Sequence, residues 1–74
     1  MKIRIACFGY LLPPGSVGEF IDLPAGARVG DIPAQLGIAG DEVAMFFIGD
    51  QRVASDHLLT DGDFVKLFPP ITGG

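Results

Sequence analysis

The sequence predicts a small α+β domain, in which a mixed sheet of four to five strands holds one short helix across one side. Its 74 residues leave room for a single domain. Short strand-like segments are separated by Gly- and Pro-containing turns, and one segment has helical spacing. Because so short a chain buries only about 60% of its extended surface, its apolar faces must all be covered, and a sheet packed on a helix achieves this.

Two strands are predicted near the start of the chain. Residues 2–8 alternate charged and apolar side chains at the start of the segment, which is typical of a strand with one buried face. That face consists of Ile3, Ile5 and Cys7. A Pro-Pro-Gly-Ser segment indicates a turn within residues 9–18, and residues 19–23 form the second strand, which ends at Pro24. We expect the two strands to pair as an antiparallel hairpin.

Residues 29–36 are the only helical segment that the sequence predicts. Val29, Ile32 and Leu36 share a face, and Gly37 can end the helix. Proline fits only the first turn of a helix and disfavours helical geometry at the residue before it. Because of Pro33, we therefore expect a short helix that begins near residues 31–33.

The second half of the chain contains the remaining strands. Residues 43–48 are continuously apolar, so either both faces of this strand are covered or one face awaits a partner. Residues 52–54 are predicted as a short strand, residues 61–63 as a tight turn and residues 64–68 as the last strand. In the last strand, Val65 and Leu67 point one way, and the other face carries Phe64, Lys66 and Phe68.

This order of elements favours a β-grasp, or ubiquitin-like, roll. The first and last strands then lie side by side in the centre of the sheet. We assign residues 1–68 to this domain and residues 69–74 to an extended, flexible tail that leaves from the middle of the sheet.

Composition narrows the class of protein. Nine acidic and five basic residues give a net charge of −4, and no basic cluster is present, which argues against nucleic-acid binding and favours a partner with a basic docking surface. The single cysteine excludes an internal disulfide. Without an apolar run of membrane-spanning length or a signal-peptide pattern, we expect a cytoplasmic protein that is not bound to a membrane.

The tail has a stiff backbone and ends in two residues without side chains. Pro69 and Pro70 favour an extended backbone, and the six residues after Phe68 can reach about 20 Å. A carboxylate on Gly74, preceded by Gly73, has no side chain near it and can enter a narrow channel. The alternative is a frayed terminus that happens to contain two glycines.

Residues 55–74 closely resemble the C-terminal part of the MoaD/ThiS family of ubiquitin-like sulfur carriers, and residues 2–12 look like its first strand. The Asp-Gly-Asp turn, the last strand, the Phe-Pro-Pro segment and the Gly-Gly pair match the MoaD type, the small subunit of molybdopterin synthase. The short helix, with Pro33 in it, is closer in length to the ThiS type of thiamine synthesis, and Phe64 stands where the family often has an acid.

The resemblance implies that an E1-like adenylating enzyme uses ATP to activate the carboxylate of Gly74. A sulfur donor of the cysteine desulfurase or rhodanese type then replaces AMP and leaves a thiocarboxylate. The loaded tail, with Gly73 and Gly74 at its end, would enter the molybdopterin synthase large subunit, which performs the catalysis, so the chain is a cosubstrate. We expect the chain to bind no cofactor or metal itself.

Three other functions stay open at the level of sequence. The same sulfur could go to thiamine, cysteine or another metabolite. The carboxylate of Gly74 could instead form isopeptide bonds with lysines, as a protein modifier does. The domain could also be a plain interaction module with an inert tail.

Partner-binding residues are expected beside and within the tail, namely Phe64, Phe68, Pro69, Pro70, Ile71 and Thr72. For Met45 or Phe47, docking and packing are equally compatible with the pattern. Four further residues are assigned structural roles. Cys7 belongs to the core, His57 to a surface loop, and Asp61 and Asp63 to the turn around Gly62.

Overall fold

The computed structural model describes residues 1–8 and 19–70. Its elements, in chain order, are β1 (Lys2–Cys7), β2 (Glu19–Asp22), a 3-10 helix (Val29–Asp31), α1 (Ile32–Gln35), a second 3-10 helix (Gly40–Glu42), β3 (Met45–Ile48), β4 (Gln51–Val53) and β5 (Phe64–Phe68). The strands form one sheet in the order β2-β1-β5-β3-β4, with α1 on one side. The predicted mixed sheet with one short helix is confirmed, and the predicted turn at 9–18 lies outside the described residues.

The two central strands are the first and the last, as predicted. β1 and β5 run parallel, with Arg4 opposite Phe64 and Cys7 opposite Leu67. β2 pairs antiparallel with the outer edge of β1, and β3 pairs antiparallel with the other edge of β5. Because β5 is the third of five strands, the segment after Phe68 leaves from the centre of the sheet.

A tight turn before β5 holds it in register with β1. Gly62 has a φ of 89°, a conformation that glycine adopts without a steric penalty. Its N–H donates to the carbonyl oxygen of Lys2 at 2.8 Å, and the N–H of Lys2 donates to Oδ1 of Asp61 at 2.7 Å. The N–H of Thr60 donates to Oδ2 of Asp63 at 2.8 Å. Both carboxylates therefore serve the backbone, which confirms them as turn residues.

The helical segment differs in one detail from the prediction. Pro33 lies in the first turn of α1, as expected, and Gly37 with a φ of 75° follows its end. Ile32, however, is helical, with φ −66° and ψ −48°, although it precedes a proline. The side chains of Val29 and Ile32 are fully buried in the core, and we attribute the helical geometry of Ile32 to this packing.

The apolar segment at 43–48 is shorter as a strand than predicted. β3 begins at Met45, because the 3-10 helix at Gly40–Glu42, which the sequence analysis did not predict, precedes it. Phe46 is buried against the core, whereas Met45 and Phe47 point to the other face. The short strand predicted at 52–54 lies one residue earlier, at Gln51–Val53.

The core lies between the sheet and the helical segment. Its six largest fully buried side chains are Ile3, Ile5, Val29, Ile32, Val65 and Leu67. Fully burying an aliphatic side chain of this size stabilises a fold by about 1.5–3 kcal/mol. Of the helices within residues 1–8 and 19–70, none has the length and apolar character needed to cross a membrane.

Candidate functional site

The last strand presents two different faces. Val65 and Leu67 point toward the helical segment and are fully buried. Phe64, Lys66 and Phe68 point to the opposite side and are half-buried. We call this side of the sheet the open face, and it carries both aromatic residues of β5 for which the sequence predicted partner binding.

Three phenylalanines form an aromatic cluster on the open face: Phe8, Phe47 and Phe68. The rings of Phe8 and Phe68 stack with centroids 4.6 Å apart and planes 4° apart, and Phe47 meets Phe68 edge-on at 5.4 Å. The N–H of Phe8 donates to the carbonyl oxygen of Leu67 at 3.0 Å, which keeps Phe8 beside β5. Each ring pair is worth roughly 0.5–1.5 kcal/mol beyond burial, so the cluster is a preformed apolar surface.

Cations lie beside two of the aromatic rings on the open face, Phe64 and Phe47. The guanidinium carbon of Arg4 lies 4.8 Å from the centre of the Phe64 ring, and Nζ of Lys66 lies 5.8 Å from it. Both distances allow cation–π attraction. Arg52 stands opposite Phe47 in the pairing of β3 with β4. We call Arg4, Arg52 and Lys66 the basic rim.

The distribution of charge reverses the expectation drawn from the net charge. By strand register, the open face holds four of the five basic residues of the chain, Lys2, Arg4, Arg52 and Lys66. Asp22, opposite Lys2, is the only acidic strand residue on that face within the described pairings. A basic docking surface on the partner therefore does not suit the open face, although it follows from a net charge of −4.

The root of the tail lies at the edge of the aromatic cluster. The N–H of Ala44 donates to the carbonyl oxygen of Phe68 at 2.8 Å, so β5 is paired up to its last residue. Pro69 has no N–H with which to continue this pairing, and Pro69 and Pro70 are half-buried outside any strand. The remaining predicted site residues lie outside the described residues: Ile71, Thr72, Gly73 and Gly74.

The open face also includes residues that the sequence analysis did not assign to the site. Met45 and Phe47, left undecided there, both lie on it, opposite Phe68 and Lys66 respectively. Phe8 and Arg4 also lie on the open face and were not among the predicted site residues. The alternation in residues 2–8 already placed Arg4 opposite the core face and could have placed Phe8 there too.

The remaining reactive side chains have structural rather than chemical roles in the described part of the chain. Cys7 packs against the core, and burial, with a smaller contribution from the charge of Glu19, raises the pKa of its thiol. A protonated thiol is a weak nucleophile. His57 is exposed in a loop, where its carbonyl oxygen accepts a hydrogen bond from the N–H of Val29. Within residues 1–8 and 19–70, no three His, Cys, Asp or Glu side chains are grouped to hold a metal ion.

Comparisons with known proteins agree with this architecture. The model of the ThiS family matches residues 14–74. SAMP1 from Haloferax volcanii is similar in structure, with a TM-score of 0.71 and 22% identity over 100% of both chains. So is a chain of the protein-protein complex of subunits 1 and 2 of molybdopterin-converting factor from Helicobacter pylori 26695, with a TM-score of 0.63 and 22% identity over 100% of both chains. At this identity the structures show the fold alone, and they confirm the β-grasp. No curated protein matches the sequence.

Proposed function

Because the chain belongs to the ThiS family of ubiquitin-like proteins, we propose that it is a sulfur carrier that donates sulfur from a Gly74 thiocarboxylate during molybdopterin synthesis. The observation that carries this proposal is the extent of the family match. It includes β5 at the centre of the sheet, the tail and the glycine pair at residues 73 and 74.

The chemistry explains why two glycines are needed. A carboxylate is a poor acyl donor, so ATP first converts it to an acyl adenylate with release of pyrophosphate. The terminal sulfur of a persulfide on the donor then attacks the carbonyl carbon and displaces AMP, which leaves with one of the former carboxylate oxygens. A thiol reduces the resulting acyl disulfide to the thiocarboxylate and is itself oxidised to a disulfide. Activation and sulfur transfer both require the Gly74 carboxylate to reach a reactive centre on another protein, and Gly73 and Gly74 present no side chain to obstruct it.

The described residues would position the tail rather than react. The aromatic cluster would dock on a partner, and Phe68 connects that docking surface directly to Pro69 and Pro70. Two prolines reduce the conformational entropy lost when the tail enters a channel. The proposed partners are an E1-like adenylating enzyme that holds the ATP, a sulfur donor of the cysteine desulfurase or rhodanese type, and the molybdopterin synthase large subunit.

The molybdopterin pathway is supported by the tail and the turn before β5. The Phe-Pro-Pro segment and the Asp61-Gly62-Asp63 turn resemble the MoaD type, and one structural neighbour is a subunit of a molybdopterin-converting factor. Thiamine synthesis is the second candidate, favoured by the ThiS model and by the shortness of α1. The large protein that copurifies with the chain would distinguish them, because each pathway has its own sulfur acceptor.

The proposal is tested by intact mass spectrometry after incubation with ATP, the E1-like enzyme of the same organism and a sulfur donor. We expect one oxygen to be exchanged for sulfur, and fragmentation should place the sulfur on Gly74. Deletion of Gly74 should abolish the exchange. Gly40→Ala is the matched control, because Gly40 is exposed and no atom beyond its own neighbours in the chain lies within 4 Å of the added methyl position.

Two results would contradict the proposal. One is an unchanged mass with an activating enzyme that loads another carrier in the same assay. The other is normal loading of the Gly74 deletion. Conjugates of higher mass on lysines of other proteins, seen with an N-terminally tagged chain in cells, would instead support a protein modifier.

A further inference from the structure

We propose that the protein surface that receives the open face is acidic around an apolar centre. Its carboxylates would meet the basic rim, and its apolar centre would meet the aromatic cluster. The inference concerns a partner of the proposed carrier, so the choice of that partner rests on the proposed function. Its own evidence is the distribution of charges and aromatic rings on the sheet.

The first observation is an electrostatic polarity within an acidic protein. All nine acidic and five basic residues lie within the described part of the chain, and four of the basic ones share the open face. Lys2 stands opposite Asp22. The residues of the basic rim have only uncharged cross-strand neighbours in the register, which are Phe20, Phe64, Ala6 and Phe47.

The second observation is that a partner cannot cover the aromatic rings of the open face without also covering the cations beside them. Lys66 stands directly opposite Phe47 and lies near the ring of Phe64, and Arg4 lies over the same ring. A partner that covers the rings of Phe47 and Phe64 therefore removes water from the basic rim as well. A desolvated cation is costly unless it meets an opposite charge, and cation–π attraction offsets only part of that cost.

A second copy of this chain does not meet these requirements. In a two-fold contact between open faces, the same patch of each copy faces the other. Arg4, Arg52 and Lys66 would then face cations, which is unfavourable when water is excluded.

A nucleic acid is the less suitable polyanion. The chain carries a net charge of −4, which repels phosphates at a distance. Single strands bind by stacking bases on free aromatic faces, but Phe8 and Phe68 already stack on each other and Phe47 contacts Phe68 edge-on. An acidic protein surface fits both the charge and the packing of the rings.

The inference is tested by the affinity of the full chain for the E1-like adenylating enzyme of the same organism, the partner that carrier and modifier functions share. Raising salt from about 0.05 to about 0.5 M should weaken binding, because charge pairs near the surface are screened. Arg4→Gln, Arg52→Gln and Lys66→Gln should each weaken it about two- to fivefold, and the triple variant about tenfold or more.

Arg28→Gln is the matched control. Arg28 is the one basic residue that does not lie on the open face. Its Nη1 donates to the carbonyl oxygen of Asp56 at 2.6 Å. We expect it to bind like the unchanged protein. Thermal unfolding of each variant shows whether a loss of affinity reflects loss of the fold.

Four results would overturn the inference. The first is an affinity that neither salt nor the triple variant changes, and the second is a loss of affinity with Arg28→Gln equal to that of the triple variant. The third is tighter binding to a single-stranded oligonucleotide than to the enzyme. The fourth is no binding to the enzyme at all. Sulfur loading of Gly74 is measured in the same samples. Loading that persists while the charge variants bind normally contradicts this inference alone, and salt-dependent binding without loading contradicts the proposed function alone.

Discussion

The two faces of the sheet are built from the same strands and differ in burial and in chemistry. Toward the helical segment, β1 and β5 present aliphatic side chains that are fully buried, namely Ile3, Ile5, Val65 and Leu67. On the open face the same strands present Arg4, Phe64 and Lys66, half-buried or exposed. Alternate residues of one strand can therefore differ in role, because one set forms the core and the other set stays accessible to a partner.

Among the variants that test this difference between the faces, the largest loss of stability is expected from a substitution on the core face. Leu67→Ala leaves a cavity in a fully buried position and should lower the free energy of unfolding by about 2–5 kcal/mol. That is a large share of the roughly 5–15 kcal/mol that stabilises a typical domain. Urea unfolding followed by circular dichroism measures it. Lys66→Ala, one residue earlier in β5, should change it by less than about 1 kcal/mol, and equal losses in the two variants would remove the distinction between the faces.

A smaller effect is expected from the turn that sets the register of both faces. Gly62→Ala places a side chain at a φ of 89° and should cost about 1–2 kcal/mol. Gly40→Ala controls for the added methyl group, since Gly40 has neither a positive φ nor an atom beyond its own neighbours in the chain within 4 Å of that group. Thermal unfolding distinguishes the two variants. Equal midpoints would mean that the turn does not constrain the pairing of β1 with β5.

On the open face the effects on stability should be smaller than in the core. Phe8 is 37% exposed and stacks on Phe68, so Phe8→Ala removes the ring stacking and part of the buried apolar surface and should lower the free energy of unfolding by about 1–2 kcal/mol. Phe20, which is 62% exposed, is the matched control, and Phe20→Ala should stay within about 0.5 kcal/mol. Guanidinium unfolding compares them. A loss in Phe8→Ala as large as in Leu67→Ala would make the cluster part of the core.

The smallest effect concerns the thiol at the edge of the core face. Burial first, and then the charge of Glu19, raises the pKa of Cys7 above the ordinary value of 9.0. The folded chain therefore holds this proton to higher pH than the unfolded chain. The stabilising contribution is complete below pH 9.0 and is lost as the pH rises from there through the raised folded pKa.

The rate of alkylation by iodoacetamide as a function of pH measures this shift. The native thiol should react at higher pH than the thiol of the chain unfolded in urea. Glu19→Gln should move the native profile to lower pH by a minor part of the difference, since burial is the larger cause. A native profile at or below that of the unfolded chain would show that Cys7 is not held against the core.

Much of the fold could be predicted from the sequence because its patterns are local. The alternation of residues 2–8 and 64–68 placed their core faces correctly, and the turn around Gly62 has a sequence signature of its own. The boundaries of β3 could not be predicted, since both faces of residues 43–48 are apolar and period-two alternation carries no information there. Helical geometry at Ile32 depends on packing that only the folded core provides.

The positive charge of the open face could not be predicted from the sequence. Arg4, Arg52 and Lys66 are far apart in the chain and form no basic cluster in the sequence. They share a face only because β1 pairs with β5 and β5 with β3, which pairs with β4. Net charge therefore described the molecule as a whole, whereas strand register describes the charge of the open face.

The central claim is that the open face serves partner recognition and that the core face serves stability. The most direct test measures, for Phe68→Ala, both the free energy of unfolding and the initial rate of sulfur loading at Gly74, with Gly40→Ala as control. We predict that Phe68→Ala stays folded at the assay temperature while its loading rate falls at least about tenfold, as for a residue at the centre of an interface. A folded Phe68→Ala variant that loads at the rate of the control would contradict the claim.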